Sequence, residues 1–288
     1  LKNTSKIIIL ISSKQLIFDP SNFYTMKKII LSLAIFGFAF GSLAQSDKKV
    51  KAGLAYQFGM NFTKPGTNNI IKNGVGVQNA IGLNLLFKGN GSIGFATGLE
   101  FDFDSYKYQM KNNTFYFYSD KEIKYKDAEN VNDDFYRLTE RKYKNVFLTI
   151  PTMLSFETNP IGDFIYYGKF GLRTSILLKS TSNDEGFDAI SGLVKENDGM
   201  KNKWGNDVWG FRSAVGLAGG AQWNFTGNTN LFAEIGFYYG VTPVHNPSSK
   251  EDNMSLWKIE DVNGTPTDVY FRPKSNLSQL CLKVGILF

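Results

Sequence analysis

The sequence predicts an all-β chain, an eight-stranded antiparallel up-and-down transmembrane β-barrel with short periplasmic turns and long external loops. Three observations predict it. Eight segments alternate apolar residues with small or polar ones at period two, which sets one face of each strand in an apolar medium. The connections between them strictly interleave long and short, the asymmetry of a barrel with two unlike rims. Beyond residue 44 no segment has 18 consecutive apolar residues, so strands rather than a helix must do any crossing.

The chain opens with Leu1, and its first Met is Met26. Lys27 and Lys28, the apolar run Ile29–Phe40 and Gly41-Ser42-Leu43-Ala44 follow. This is the order of an export signal: basic, apolar, then a small-x-small cleavage site. The run has 12 residues, short of the roughly 20 a spanning helix needs. We expect residues 1–25 to lie upstream of the true start, 26–44 to be a signal peptide cleaved after Ala44, and 45–288 to form the barrel domain.

The first strand, Val50–Asn61, sets Ala52, Leu54, Tyr56, Phe58 and Met60 against Lys51, Gly53, Gln57 and Gly59. The second spans Val75–Phe87 and the third Ile93–Asp104, whose polar face carries Glu100, Asp102 and Asp104. The fourth is Tyr143–Phe156. Its Pro151 lacks a ladder donor, and a local bulge or kink is expected there because the alternation continues beyond it. The fifth, Asp163–Lys179, opposes Phe164, Tyr166, Phe170, Leu172, Ile176 and Leu178 to Lys169, Gly171, Arg173 and Ser175. The sixth, Val208–Phe225, carries Trp209 and Phe211 at one end and Trp223 and Phe225 at the other. Phe211 to Trp223, tilted, covers roughly 30 Å, near the separation of two aromatic girdles. The seventh is Asn230–Val241. The eighth ends the chain, with Leu280, Leu282, Val284 and Ile286 on one face and Gln279, Cys281, Lys283, Gly285 and Leu287 on the other, closed by Phe288.

The long connections are 62–74, 105–142, 180–207 and 242–275; the short ones are 88–92, 157–162 and 226–229. Soluble sandwiches and lipocalin-type barrels also alternate. The Gly- and Ala-rich second face argues against both, since small residues suit a crowded lumen and make a poor water-facing surface.

Composition agrees. There are 25 Phe, 14 Tyr and 28 Gly, a mix suited to strands and turns. The formal charge is +6. Without the lysines and the aspartate of 1–44 it falls to about +2, with no clustered basic patch of the kind nucleic acid requires. The single cysteine, Cys281, excludes an intrachain disulfide and argues against a dedicated Cys-based zinc site.

Two strand motifs carry a resemblance. Phe147-Leu148-Thr149-Ile150-Pro151-Thr152-Met153-Leu154 looks like an aromatic-Leu-x-Ile-Pro-x-x-Leu strand, and Tyr166-Tyr167-Gly168-Lys169-Phe170-Gly171-Leu172-Arg173 like the Gly-rich strand that follows it. With the Phe-ended terminal strand they resemble the PorT-like outer-membrane β-barrel family. The resemblance implies an outer-membrane barrel without an assigned activity; one branch is linked to a protein-export machine.

The candidate site is a set of charges on the presumed lumen face: Lys51, Glu100, Asp102, Lys169, Arg173, Arg212, Glu234 and Lys283. Eight strands leave an interior just wide enough for side chains, and buried charges must pair, so an ion-pair network filling the barrel is expected. The alternative is a selective pore or a buried ligand site. His245, the only histidine, sits between Pro243 and Pro247 and is expected at the rim. Asp252 and Ser255 lie nearby without a catalytic frame. No catalytic residue, metal site or cofactor is therefore assigned. The leading reading is a non-enzymatic outer-membrane protein whose external loops bind or scaffold, or that serves envelope structure. The alternatives are a narrow channel and a barrel-embedded hydrolase or acyltransferase. Loop 105–142 mixes aromatics with charges, which suits a protein or glycan ligand; Asn113–Tyr118 and Tyr136–Tyr143 are expected to extend the third and fourth strands as a hairpin, a reading compatible with the first. Expected partners are outer-membrane lipid and the barrel assembly machinery, which would read Phe288 as an assembly signal.

Overall fold

The computed structural model describes residues 50–89, 91–126, 134–203, 207–248 and 250–288. The expected upstream segment and signal peptide lie outside these residues. Thirteen strands form one sheet: β1 (Val50–Pro65), β2 (Ile70–Lys72), β3 (Gly76–Lys88), β4 (Ile93–Ser119), β5 (Glu122–Ile123), β6 (Asp134–Glu157), β7 (Phe164–Asp188), β8 (Val194–Lys201), β9 (Phe211–Thr226), β10 (Thr229–Gly240), β11 (Leu256–Val262), β12 (Thr265–Phe271) and β13 (Ser275–Leu287). Each predicted segment falls on one long strand. β1 pairs with β3, β3 with β4, β4 with β6, β6 with β7, β7 with β9, β9 with β10, β10 with β13 and β13 with β1, all antiparallel.

The sheet is apolar outside and polar inside. On β1 and β13 the outward Tyr56, Phe58, Met60, Leu280, Leu282 and Val284 are 38–48% exposed, while their inward neighbours Gln57, Asn61, Gln279 and Lys283 are at most 6% exposed. A water-soluble barrel has the opposite arrangement. The inward glycines make room for large partners. A Cβ on Gly216 would lie 2.3 Å from the Tyr238 ring, and one on Gly236 2.9 Å from it.

Three short connections share one end, each turning on a glycine with positive φ: Gly91 (77°), Gly162 (60°) and Gly227 (42°). At the other end the connections expected as loops are largely strand. β4, β6 and β7 have 27, 24 and 25 residues, against about 9–11 for a crossing. The β4–β6 ladder runs on to Tyr118↔Asp134, as the alternation over Asn113–Tyr118 and Tyr136–Tyr143 suggested. β2, β5, β8 and the β11–β12 hairpin add to it. These shorter strands escaped the period-two reading because β2 and β5 have only three and two residues and the others lack a sustained apolar face.

Pro151 makes no bulge. Its register is continuous on both sides, Thr97↔Thr152 then Glu100↔Thr149 on β4 and Ile150↔Thr174 then Pro151↔Arg173 on β7. The missing donor is absorbed by a gap in the β4 ladder, where Thr97 Oγ1 donates to Pro151 O at 2.8 Å. The β6–β7 register shifts instead at Leu138/Glu140 and Val146/Phe147.

The extension has its own core. Tyr106, Tyr108, Tyr116, Tyr136, Tyr143, Leu138, Met200 and Leu256 are buried together. On its flank Trp257 lies against Phe115, Phe135 and Phe117, with ring centres 4.9, 5.2 and 5.7 Å away. The pair Trp257↔Phe115 joins β11 to β4. Trp257→Ala is expected to cost about 3–5 kcal/mol, the usual loss for a buried Trp. Limited proteolysis should then cut 256–271 while the barrel keeps its heat-modifiable gel mobility; an uncut hairpin would refute this anchoring role.

Candidate functional site

The inner face brings most of the predicted charges together. Glu100, Asp102 and Asp104 succeed one another on the inward side of β4. Arg173 Nη2, from β7, donates to Glu100 Oε2 at 2.6 Å and reaches Asp102 Oδ2 at 3.5 Å. Arg212, from β9, pairs with Asp104 and donates to Asp102 Oδ2 at 3.3 Å. Lys283, from β13, donates to Glu100 Oε1 at 2.6 Å. β9 and β13 are not neighbours of β4 in the sheet, so these contacts cross the interior.

Lys169 and Glu234 form a separate pair at 2.5 Å. Lys51 enters no ion pair among the described residues; its Nζ donates to Gln222 Oε1 at 3.0 Å. Neutral groups complete the lattice. Gln279 Nε2 donates to Asn61 Oδ1 at 2.9 Å, Asn61 Nδ2 to Asp104 Oδ1 at 3.1 Å, and Thr149 Oγ1 to Asp102 Oδ2 at 3.3 Å. The guanidinium carbons of Arg212 and Arg173 lie 4.2 and 4.8 Å from the ring centres of Phe147 and Tyr238. Cys281 is buried inward, with Sγ donating to Gln78 Oε1 at 3.1 Å. Towards the short-turn end a cavity of about 20 Å³ lies among Leu86, Ala96, Tyr167, Lys169 and Phe232, room for about one water.

Asp104 belongs to this network although it was not among the candidates; its inward parity with Glu100 and Asp102 was the signal. A second network, in the extension, was missed outright. Arg141, fully buried, grips Asp184 with two bonds of 2.8 Å, Nε to Oδ1 and Nη2 to Oδ2. Its Nη1 donates to Asp207 Oδ2 at 3.3 Å, and Tyr143 donates to the same oxygen at 3.0 Å. Burial opposes charge on Arg141, but Asp184 overcomes it and raises the guanidinium pKa. Burial pushes the Tyr143 phenol well above its usual range, so it stays a neutral donor.

His245 stands at the level of the long-loop rim but turns inward, away from solvent. It is 1% exposed and ringed by Tyr106, Tyr108 and Tyr143. Its apolar setting hid behind the flanking prolines, which read as a surface turn. Nδ1 donates to the main-chain oxygen of Asp207 at 3.0 Å, and burial lowers its pKa. Among the described residues its ring bonds to no Ser, Thr or carboxylate side chain, and no three His, Cys, Asp or Glu side chains cluster as metal ligands.

Phe288 closes the short-turn rim, its N–H donating to Ala52 O at 2.8 Å.

Residues 43–246 match the family model described as "Outer membrane protein beta-barrel domain". No curated protein matches the chain. Among solved structures it resembles the attachment invasion locus protein Ail of Yersinia pestis, at 11% identity and a TM-score of 0.31, over 83% of this chain and 99% of that one. It also resembles the outer membrane protease OmpT of Escherichia coli, at 10% identity and a TM-score of 0.38, over 84% of this chain and 97% of that one. Neisserial surface protein A is similar at 10% identity and a TM-score of 0.27, over 81% and 97%.

Proposed function

Because the chain belongs to the outer membrane protein beta-barrel domain family, we propose that it is a closed, non-enzymatic outer-membrane barrel that displays a rigid β-platform for binding outside the cell. In this reading β1, β3, β4, β6, β7, β9, β10 and β13 are the eight spanning strands. The short turns face the periplasm, and the chain arrives through the export signal at 26–44. The motifs at Phe147–Leu154 and Tyr166–Arg173 support a place among the PorT-like barrels of that family.

The observation that carries the reading is where the polar residues go. Inside the barrel, three acids and three bases bond across the lumen, which argues against a conducting path. Beyond the bilayer, β4, β6 and β7 continue around a tyrosine core with a buried Arg141–Asp184 pair. Such an extension is more than a spanning strand needs, and its order suits a preformed binding surface. The turn at its tip is fixed by Asp188, whose Oδ1 accepts from Ile190 N, Ser191 N and Ser191 Oγ. Ile190, Leu193 and Val194 there are 70–87% exposed.

Two measurements test this. In planar bilayers the purified protein should give no large steady currents; sustained open-channel conductance would defeat the filled-lumen reading. In intact cells Ile190→Cys should react with a membrane-impermeant maleimide, the buried Cys281 remaining silent. Labelling only after lysis would reverse the orientation.

The final strand bears the assembly role proposed for Phe288. Phe288→Ser should reduce the folded, membrane-inserted fraction more than deletion of the β11–β12 hairpin does. Equal insertion by quantitative heat-modifiability would rule that role out.

A further inference from the structure

At the long-loop rim β1 and β13 end together, through Lys64↔Asn276 and Pro65↔Ser275, with Gly66 N donating to Lys274 O at 2.7 Å. The segment 243–247 folds against this end, Val244 N donating to Ser275 O at 2.9 Å. Between them lies a groove of about 390 Å³, lined by Lys64, Lys274, Asn246, Asn276, Tyr239 and His245 among others. That is within the size range of small-ligand sites.

The groove's chemistry is one-sided. No lining residue is acidic, and neither lysine forms an ion pair among the described residues. Lys72 lies with its ammonium 5.4 Å from the ring centre of Phe62, which shares the outward face with Lys64. His245 Nδ1 is engaged, which leaves Nε2 an acceptor, buried and without a protein partner. Asn246 and Asn276 add amide groups, and the prolines at 65, 243 and 247 stiffen the walls.

Its position is equally specific. Lys64 and Asn276 continue the outward faces of β1 and β13, directly above the exposed Phe58, Met60, Leu280 and Leu282. A ligand seated here has its polar part beside Lys64 and Lys274 and an apolar surface immediately below.

We propose that this groove seats the phosphorylated sugar headgroup of an outer-leaflet glycolipid, its acyl chains lying along β1 and β13. The lysines donate to the phosphate, a charge-assisted contact, and the amides of Asn246 and Asn276 meet the sugar hydroxyls. The proposal rests on the long-loop rim facing outward, which the Ile190→Cys labelling tests separately.

The test is lipid binding by native mass spectrometry on the full chain in detergent. The probes are a bis-phosphorylated acylated glucosamine disaccharide, the same lipid dephosphorylated, and inorganic phosphate as competitor. The phosphorylated lipid should bind at least about tenfold more tightly than the dephosphorylated one, the value of one charge-assisted bond. Lys64→Ala with Lys274→Ala should remove that preference while heat-modifiable mobility is kept. Lys142→Ala with Lys144→Ala, exposed lysines elsewhere on the outer face, should leave it intact. Equal binding of the two lipids, or an unchanged preference in Lys64→Ala/Lys274→Ala, would overturn the groove. Displacement by equimolar inorganic phosphate would make it a free-anion site and overturn the lipid assignment. Lipid binding that holds while Ile190→Cys labels only in lysates would overturn the outer-leaflet assignment alone.

Discussion

Arg173→Met is expected to destabilise the barrel by about 3–5 kcal/mol, the loss typical when one partner of a buried ion pair is removed. The argument is one of balance. Glu100, Asp102 and Asp104 face Arg173, Arg212 and Lys283, each carboxylate bonded to at least one of the three bases. All six are at most 7% exposed. Methionine fills much of the arginine's volume and keeps its stem, so the main change is one uncompensated negative charge far from water. Glu100→Gln removes that charge again. The double variant Arg173→Met/Glu100→Gln should therefore recover at least half of the loss, because buried pairs cost less to replace together than to break. The folded band on unboiled gels, followed through a urea series, gives both values. A single variant as stable as the parent would mean that the lumen admits enough water to solvate the acids, and would favour a hydrated channel.

This network was legible in the sequence because it follows unbroken parity. From Ile93 to Asp104, from Phe164 to Ser175 and from Gln279 to Leu287, alternate residues keep one face, so the inward positions of Glu100, Arg173 and Lys283 could be read directly. The extension was not legible for a physical reason. A β-bulge inserts a residue and flips every later side chain to the other face. On β6 the buried positions are even through Leu138 and odd from Arg141 onward, across the shift at Leu138/Glu140. On β7 they are odd through Leu177 and even from Ser180 to Asp184, across the shift at Val146/Phe147. Asp184 therefore sits out of phase with the strand it extends, and Arg141 is the last inward residue before β6 changes phase, so the two read as scattered loop charges. The third partner, Asp207, stands before β9 with no periodicity around it.

The glycines of the inner face take their meaning from the same crowding. Tyr238 is 1% exposed because Gly216 and Gly236 leave space for its ring, and that ring in turn supports the Arg173 guanidinium. Small residues in the sequence thus marked where large ones from neighbouring strands would lie. Which large residue each would accommodate depended on register, which the sequence did not state.

Arg141→Leu is the sharpest test of whether the extension is a folded unit with its own stability. Removing the guanidinium leaves Asp184 buried without its bidentate partner and Asp207, among the described residues, with Tyr143 alone of two side-chain donors. The expected loss is again about 3–5 kcal/mol, but it should be confined to the part beyond the bilayer. Hydrogen exchange over 134–145 and 180–201 should accelerate strongly, while the ladders between β1, β3, β10 and β13 keep their protection. Acid should act in the same direction. Burial holds the His245 pKa below its ordinary value of 6.5, so the unfolded extension binds a proton that the folded one resists. The stability this supplies is present above about pH 6.5 and is lost as the pH falls towards the depressed folded value. Lowering the pH should therefore open the Arg141→Leu extension further, a step that His245→Gln would remove. Uniform acceleration of exchange across the barrel would instead mean that platform and barrel fold as one cooperative unit. In that case the lumen network and the tyrosine core would be two halves of a single stabilising system.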